Sequence, residues 1–456
     1  GKPVRVSLTV GASGGPFTGA RIVGVSNADA GDARVVADGS SFSLEFTPRG
    51  QFYGDVVVRY TLSNSDGESA PGIVRIRVNE RPDPGLDPEV TGLVNAQASA
   101  ASRFGAAQAG NVTRRLEALR DGVGGNELSV GLVGTSNTFA AEPGSDPARD
   151  RARHSLAPNV PAEPAKAPER FVSKSAIMEA AHKVGVWAGG VLQLGSSDQR
   201  GSQGSLDFNT DGLSIGADVQ LNEKVVVGGG LGVGRDVTDV GEASKSKGES
   251  VSGFVYGSVK PMDGVFIDAV LGVSKMQFSS DRAVSETAAV VSGKRSGEGY
   301  FASFAAGYEF KSARLKLSPY ARLDLNGATL GAFTERGDDT FALHFRQQRV
   351  RQVQAAVGAR GGYEIRFGDG LLIPSMRIEY RTNLHDGGNA AVSYADWASS
   401  PIYTVRLSPY QSDSAVLGLG FRWLDASGWS LSTEVETATG KGADSTSVRV
   451  SGSGKF

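Results

Sequence analysis

The chain has 456 residues, more than one ordinary domain, which predicts two or more units. Its net charge of −2 argues against a nucleic-acid partner, and the absence of cysteine excludes disulfides and thiolate metal sites. No apolar run approaches the about 18 residues of a transmembrane helix, although a membrane β-barrel escapes this test because its apolar residues alternate with polar ones.

The first segment, residues 1–81, alternates apolar and polar residues in short runs broken by Gly, Asn and Asp. This pattern predicts a small Greek-key β-sandwich with strands at Val4 to Val10, Ala33 to Val36, Phe42 to Phe46, Val56 to Leu62 and Val74 to Val78. No signal peptide is visible at Gly1, so an exported protein would have its first residues in a longer precursor.

Three short stretches of this segment carry a resemblance: Phe46-Thr47-Pro48, Phe52-Tyr53-Gly54 and Tyr60-Thr61-Leu62-Ser63. They are similar to the bacterial Ig-like or cadherin-like repeats of surface proteins. That resemblance implies an Ig-like domain displayed at the cell surface.

Residues 88–121 differ in composition: they are rich in Ala, Gln, Arg and Leu and contain few helix-breaking residues. Apolar and small residues recur at spacings of three to five between Leu93 and Leu119, which predicts one long helix. Such a helix would be about 45 Å long. Its glycines Gly92, Gly105 and Gly110 weaken it in water, so we expect surrounding structure to stabilise it.

Residues 122–172 are rich in Pro, Ala, Gly, Ser and charge, and this composition predicts a disordered linker. A short helix from Ser173 to Lys183 then leads into the last unit, residues 173–456.

In the last unit the chain repeatedly alternates apolar residues with small or charged ones. Between Leu372 and Arg381, for example, Met376, Ile378 and Tyr380 alternate with Arg377 and Glu379. A row of charges on one strand face fits a wet barrel interior, while the apolar face meets lipid. The runs predict a twelve-stranded antiparallel transmembrane β-barrel with strands beginning near Val184, Asp207, Glu223, Ser250, Gly264, Gly297, Arg314, Arg349, Gly370, Tyr410, Gly428 and Ser445.

The connections between these strands mostly alternate in length. Tight turns such as Leu221 to Lys224 and Gly368 to Gly370 alternate with long joins at Gly241 to Gly248, Ser279 to Gly299 and Asp386 to Ser408. Short periplasmic turns opposite long outer loops are typical of an outer-membrane barrel. In a soluble β-protein nothing requires short and long connections to alternate in this way.

The barrel sequence resembles the autotransporter β-domain. The likeness is carried by Gly212 to Asp218, Phe254 to Ser258, Ser318 to Asp324, Arg377 to Tyr380 and Leu417 to Phe421. It implies a Gram-negative outer-membrane translocator that delivers and anchors its N-terminal passenger at the cell surface, with a helix in its pore. The final strand also resembles the signal read by the barrel assembly machinery, through Val448, Val450 and the terminal Phe456.

The resemblance also implies partners. The expected partners are outer-membrane lipid, the assembly machinery, periplasmic chaperones and the passenger itself, around a monomeric barrel. By strand parity, the charges expected to face the lumen are Arg322, Asp324, Arg360, Glu364, Arg377, Glu379, Arg381, Arg422, Glu434 and Glu436. They either hold the helix or only pair with each other across strands.

Two helices compete for the pore. In the family the pore helix runs almost directly into strand one, whereas here residues 122–172 intervene. The segment from Ser173 to Lys183 reaches only about 17 Å, so we favour the long helix, with pore-facing candidates Asn95, Gln97, Arg103, Gln108 and Asn111.

Catalytic chemistry is not indicated. The four histidines, His154, His182, His344 and His385, form no ligand-spaced cluster, and residues 1–81 contain none for a Ser-His-Asp triad. The Asn-Asn pair associated with self-cleavage in some autotransporters is missing, so we expect no such cut. We therefore predict no enzyme activity, cofactor or metal. The alternatives are a plain outer-membrane pore, or an adhesin whose Ig-like domain binds a host or cell-surface ligand.

Overall fold

The computed structural model describes residues 3–50, 52–121, 184–198, 205–241, 243–397, 399–407, 413–426, 428–440 and 443–455. The predicted linker (122–172) and the predicted short helix from Ser173 to Lys183 lie outside these residues. The described chain forms an N-terminal β-sandwich, one long helix and a β-barrel.

The N-terminal unit is built from seven strands: β1 (Val4–Ser7), β2 (Gly19–Val25), β3 (Gly31–Asp38), β4 (Ser41–Pro48), β5 (Gly54–Asn64), β6 (Gly67–Glu68) and β7 (Gly72–Val78). One sheet has the order β1-β4-β3, and in the other β5 pairs with β2, β6 and β7. Leu44, Phe46, Val56 and Val58 are fully buried between them. The predicted sandwich is confirmed, and two of its strands, β2 and the two-residue β6, were not predicted from the sequence.

A 3-10 turn (Pro84–Leu86) leads into helix α1 (Pro88–Arg120). Asp87 caps the helix, because its side chain accepts a hydrogen bond of 2.9 Å from the backbone N–H of Glu89. Pro88 suits the first helical position, and Arg120 places a positive charge in the last turn. Buried residues occur on every side of α1, so the helix is surrounded by protein.

Eighteen strands follow: β8 (Val184–Asp198), β9 (Ser205–Asn222), β10 (Val225–Val240), β11 (Ser244–Val259), β12 (Val265–Ala283), β13 (Val290–Tyr308), β14 (Phe310–Ser312), β15 (Leu315–Leu330), β16 (Phe333–Thr334), β17 (Leu343–Phe345), β18 (Gln348–Tyr363), β19 (Ile365–Phe367), β20 (Gly370–Gly387), β21 (Asn389–Tyr394), β22 (Tyr403–Arg406), β23 (Ser414–Leu424), β24 (Ser430–Gly440) and β25 (Ala443–Lys455).

Twelve of these strands close into the barrel: β8 to β13, β15, β18, β20 and β23 to β25. All neighbouring pairs are antiparallel, and the ring closes where β25 pairs with β8, with Val448 opposite Leu192. Closure satisfies the backbone groups that an open sheet edge would leave unpaired in lipid. The predicted twelve-stranded antiparallel barrel is confirmed.

The outer face is apolar where it would meet lipid. Leu231 and Val255, for example, are 62% and 59% exposed, while their strand neighbours Gly232 and Phe254 point inward. Among the described residues no helix has the length and hydropathy of a membrane span.

The loops differ from the prediction at one end of the barrel. The join expected at Gly241 to Gly248 is mostly strand, because β11 already begins at Ser244, and β12 and β13 together occupy most of Ser279 to Gly299. These hairpins extend beyond the apolar belt of the outer face, because side chains continue to alternate between the inner and the outer face there. Lys247 and Lys294 lie on the outer face of these extensions. The two remaining long connections carry β16, β17, β21 and β22, which form a separate four-stranded sheet.

Candidate functional site

Helix α1 runs along the barrel lumen with a defined direction. Its last residues lie at the end of the barrel that carries the tight turns, where Asp121 accepts hydrogen bonds from Arg360 (2.5 Å) and Arg422. Its first turns lie among the long loops, where Val90 and Leu93 pack against the sheet of β16, β17, β21 and β22. Strand β8 starts at this same tight-turn end of the barrel.

Near the long-loop end, Arg103 binds the wall through a fully buried ion pair. Its guanidinium donates to Asp236 at 2.7 and 2.9 Å, and to the hydroxyls of Thr210 (2.9 Å) and Thr238 (3.0 Å). The side chains of Arg103 and Asp236 are 2% and 1% exposed. Breaking such a pair would leave a buried, uncompensated charge.

In the middle of the lumen, neutral polar groups join helix and wall. The Gln108 amide donates to the Val233 carbonyl at 3.0 Å and accepts from the Ser214 hydroxyl at 2.6 Å. The Asn111 amide donates to the Ser214 hydroxyl (2.9 Å) and to the Gly189 carbonyl (3.2 Å). These bonds set the rotation of the helix about its axis.

One turn further on, a chain of polar groups extends from the helix into the wall. Arg115 donates to both carboxylate oxygens of Asp218, at 2.7 and 2.8 Å. The Tyr256 hydroxyl donates to Asp218 at 2.9 Å and accepts from the Trp187 indole at 2.6 Å. Each member thereby orients the next one.

The densest cluster lies near the tight-turn end. Arg377 donates to both oxygens of Glu117 on the helix, at 2.7 and 2.8 Å, and to Glu434 on the wall at 3.0 Å. Arg114 on the helix pairs with Glu434 and with Glu436, the latter at 2.8 Å. Arginines and carboxylates from helix and wall therefore alternate around one level of the lumen.

The predicted lumenal charges fall into two groups. Those bound to the helix are Arg360, Arg377, Arg422, Glu434 and Glu436. Those paired only within the wall are Arg322, Asp324, Glu364, Glu379 and Arg381. Both readings of these charges, helix binding and cross-strand pairing, therefore occur in one lumen.

The predicted helix residues Asn95, Gln97, Arg103, Gln108 and Asn111 are all buried. Several further helix–wall contacts were not predicted from the sequence, those of Arg114, Arg115, Glu117, Arg120, Asp218, Asp236 and Asp268. Strand parity could have identified the three aspartates, since each occupies an inward position.

Val448 and Val450 of the predicted assembly signal face outward, 39% and 49% exposed, and Phe456 lies outside the described residues.

Small spaces lie between the helix and the described barrel wall. Three of them have volumes of about 110, 30 and 10 Å³. The first is bordered by Ala106, Gly110 and Arg449. Within the described ranges no group of three or more His, Asp or Glu side chains could hold a metal ion.

A closed twelve-stranded barrel with a polar lumen, an apolar outer face and a helix along its axis defines the class of outer-membrane barrels plugged by a helix. The family model described as "Autotransporter beta-domain" matches residues 186–436. The chain belongs to the autotransporter β-domain family. It is thus a translocator domain of the Gram-negative outer membrane with a helix inside its barrel.

Solved structures of three autotransporter units are similar to this chain. The translocator domain of NalP from Neisseria meningitidis is 15% identical, with 62% of this chain and 92% of that chain covered and a TM-score of 0.49. The β-domain of the Bordetella autotransporter Brka is 18% identical (60% and 100% covered, TM-score 0.46). The transport unit of AIDA-I from Escherichia coli is 15% identical (60% and 90% covered, TM-score 0.42). No curated protein matches the chain by sequence.

Proposed function

We propose that the barrel delivers residues 1–81 to the cell surface as an Ig-like passenger and anchors them there through α1. The observation that carries this proposal is the direction of the helix. Its first turns contact the long loops, and Arg81, just before it, pairs with Asp396 of those loops. The sandwich therefore lies on the long-loop side, while strand β8 begins on the other side.

The mechanism requires no bond-making by the protein. Barrel folding in lipid supplies the driving force, because strand closure pairs the backbone and the outer face becomes buried. Once the passenger is outside, the lumenal ion pairs hold α1 in place. We further propose that residues 122–172 link the helix to the barrel unit, 173–456, on the periplasmic side. Barrel assembly machinery and periplasmic chaperones are the proposed partners, engaged through the final strand with Val448, Val450 and Phe456.

The plain-pore alternative is disfavoured by the same lumen. A diffusion pore needs a water-filled path, whereas here buried arginines of the helix are neutralised by wall carboxylates. A binding role of residues 1–81 at the surface is compatible with delivery, since a delivered domain is free to act as an adhesin.

Protease treatment of intact cells tests the proposed function. We expect added protease to remove residues 1–81 and to leave the barrel, while an epitope inserted in the tight turn at Asn222 stays protected until the cells are lysed. If the turn epitope is cleaved on intact cells and residues 1–81 are protected, the orientation is the reverse and the proposal is wrong.

A further inference from the structure

The four-stranded sheet at the outer mouth, which we term the loop sheet, consists of β16, β17, β21 and β22. We propose that the loop sheet is a binding site for the chain's own segment 81–94, and that the two long loops become ordered only when this segment occupies the mouth. The proposal rests on the proposed function, since it assumes that residues 1–81 have already passed outward.

The strands of the loop sheet are too short to be stable alone. They contain two to six residues each and come from two loops that are separated in sequence by β18 and β20. A small isolated sheet of this kind needs a hydrophobic face packed against another element. The element it packs against here is the start of α1.

The apolar floor of the site comes from the helix. Val90, Leu93 and Val94 are 0%, 0% and 1% exposed, in one cluster with side chains of all four loop strands. Phe333 and Phe345 stack within that cluster, with ring centroids 4.6 Å apart. Without the helix, these loop side chains would face a wet lumen, so the apolar packing of the sheet depends on the segment.

Polar contacts recognise the residues ahead of the helix. Arg81 forms a two-pronged ion pair with Asp396, at 2.7 and 2.6 Å, and its guanidinium lies 4.7 Å from the centre of the Tyr394 ring. The Tyr394 hydroxyl donates to the Pro82 carbonyl at 2.8 Å. Burial raises the pKa of Tyr394 above its ordinary value, which already keeps this donor protonated at neutral pH.

The site is tied to the barrel by one buried ion pair. Arg282, at the end of β12, donates to both carboxylate oxygens of Glu335, at 2.9 and 2.8 Å. Glu335 also accepts from the Leu343 backbone N–H at 2.9 Å, which fixes β17. The helix cap Asp87 accepts from the Ser285 hydroxyl at 3.2 Å. Barrel rim, loop sheet and helix start therefore meet at one point.

Hydrogen exchange of the full chain in detergent, followed by mass spectrometry, tests the proposal. Leu93→Ala removes the floor, and its matched control is Leu116→Ala, since Leu116 is equally buried on the same helix but lies in a different cluster. Arg81→Ala removes the polar contact, with the exposed Arg77→Ala as its control. Heat-dependent gel migration verifies that each barrel is folded.

We expect the hydrogen-exchange rate in 333–345 and 389–406 to rise at least about tenfold in Leu93→Ala. Truncating a buried leucine costs more free energy than a tenfold change in an equilibrium constant represents. Arg81→Ala should give about a threefold rise, and neither control should alter these segments. Equal loop exchange in Leu93→Ala and Leu116→Ala would overturn the proposal.

The protease assay keeps the two proposals distinguishable. Faster loop exchange with residues 1–81 still cleavable on intact cells supports the binding site and leaves delivery intact. Protected residues 1–81 in the unaltered chain would instead contradict delivery, whatever the loops do.

Discussion

Replacing Arg377 with alanine is expected to loosen the pore helix and to convert a closed barrel into one that conducts ions. The side chain is 2% exposed and joins Glu117 of the helix to Glu434 of the wall. Its removal leaves two carboxylates close together in a buried site, and breaking such a network costs about 3–5 kcal/mol. Bilayer recordings should show frequent openings in the variant and rare ones in the unaltered chain.

The matched control is Arg366→Ala. Arg366 lies in β19 and is exposed, so its loss changes the net charge equally without touching the helix. Arg377→Lys should give an intermediate result, because lysine keeps the charge but has a single nitrogen, whereas Arg377 uses three to reach Glu117, Glu434 and the Tyr320 hydroxyl. Indistinguishable recordings from Arg377→Ala and Arg366→Ala would show that this cluster does not hold the helix.

The substitution Gly105→Leu is expected to prevent helix α1 from reaching its full position in the barrel lumen. A Cβ at this position would lie 2.3 Å from Oδ1 of Asn326 and 3.0 Å from Cβ of Phe301, and both neighbours are buried. Overpacking of this kind costs about 1–3 kcal/mol or more. Leucine has a higher helix propensity than glycine, so the substitution does not weaken the helix itself. A displaced helix would therefore result from the steric clash with the barrel wall.

Ala106→Leu is the control for this substitution. Ala106 is exposed and borders a space of about 110 Å³ in the lumen, which can receive the added atoms. Because the chain has no cysteine, Ala438→Cys gives a single thiol beside the same space. Thiol labelling should be much faster with Gly105→Leu than with Ala106→Leu. Equal labelling rates would mean that close packing at Gly105 does not position the helix.

The barrel could be predicted from the sequence because its pattern is local. Inward and outward positions alternate, so Arg377 and Glu379 between Met376, Ile378 and Tyr380 indicate one wet and one lipid-facing side without knowledge of any partner. The same parity placed Arg360 and Arg422 on the inner face. The pairing between distant strands then follows from antiparallel order.

The contacts of the helix could not be predicted in this way. Because α1 is surrounded by protein, its polar residues occur on every side, and the periodic stripe that marks a one-sided helix is weak. Arg115 and Asp218 are 103 positions apart, and Arg114 and Glu434 are 320 apart. Such pairs depend on the axial position and the rotation of the helix in the lumen. A local sequence pattern contains no information on either.

The loop sheet was missed for a different reason. Strands such as Phe333–Thr334 and Leu343–Phe345 are too short to show alternation, and what stabilises them is the start of a helix about 240 residues earlier. The sequence therefore predicts only a long join at Asp386 to Ser408, whereas β21 and β22 lie within this range.

We infer that α1 fills the translocator pore and closes it after delivery. The most direct test compares the bilayer conductance of the full chain with that of a chain beginning near Val172, which lacks the sandwich and α1. We expect the full chain to be closed or to conduct only in brief openings, and the truncated chain to form a steady open pore. Equal, steady conductance of both chains would show that the helix does not close the barrel.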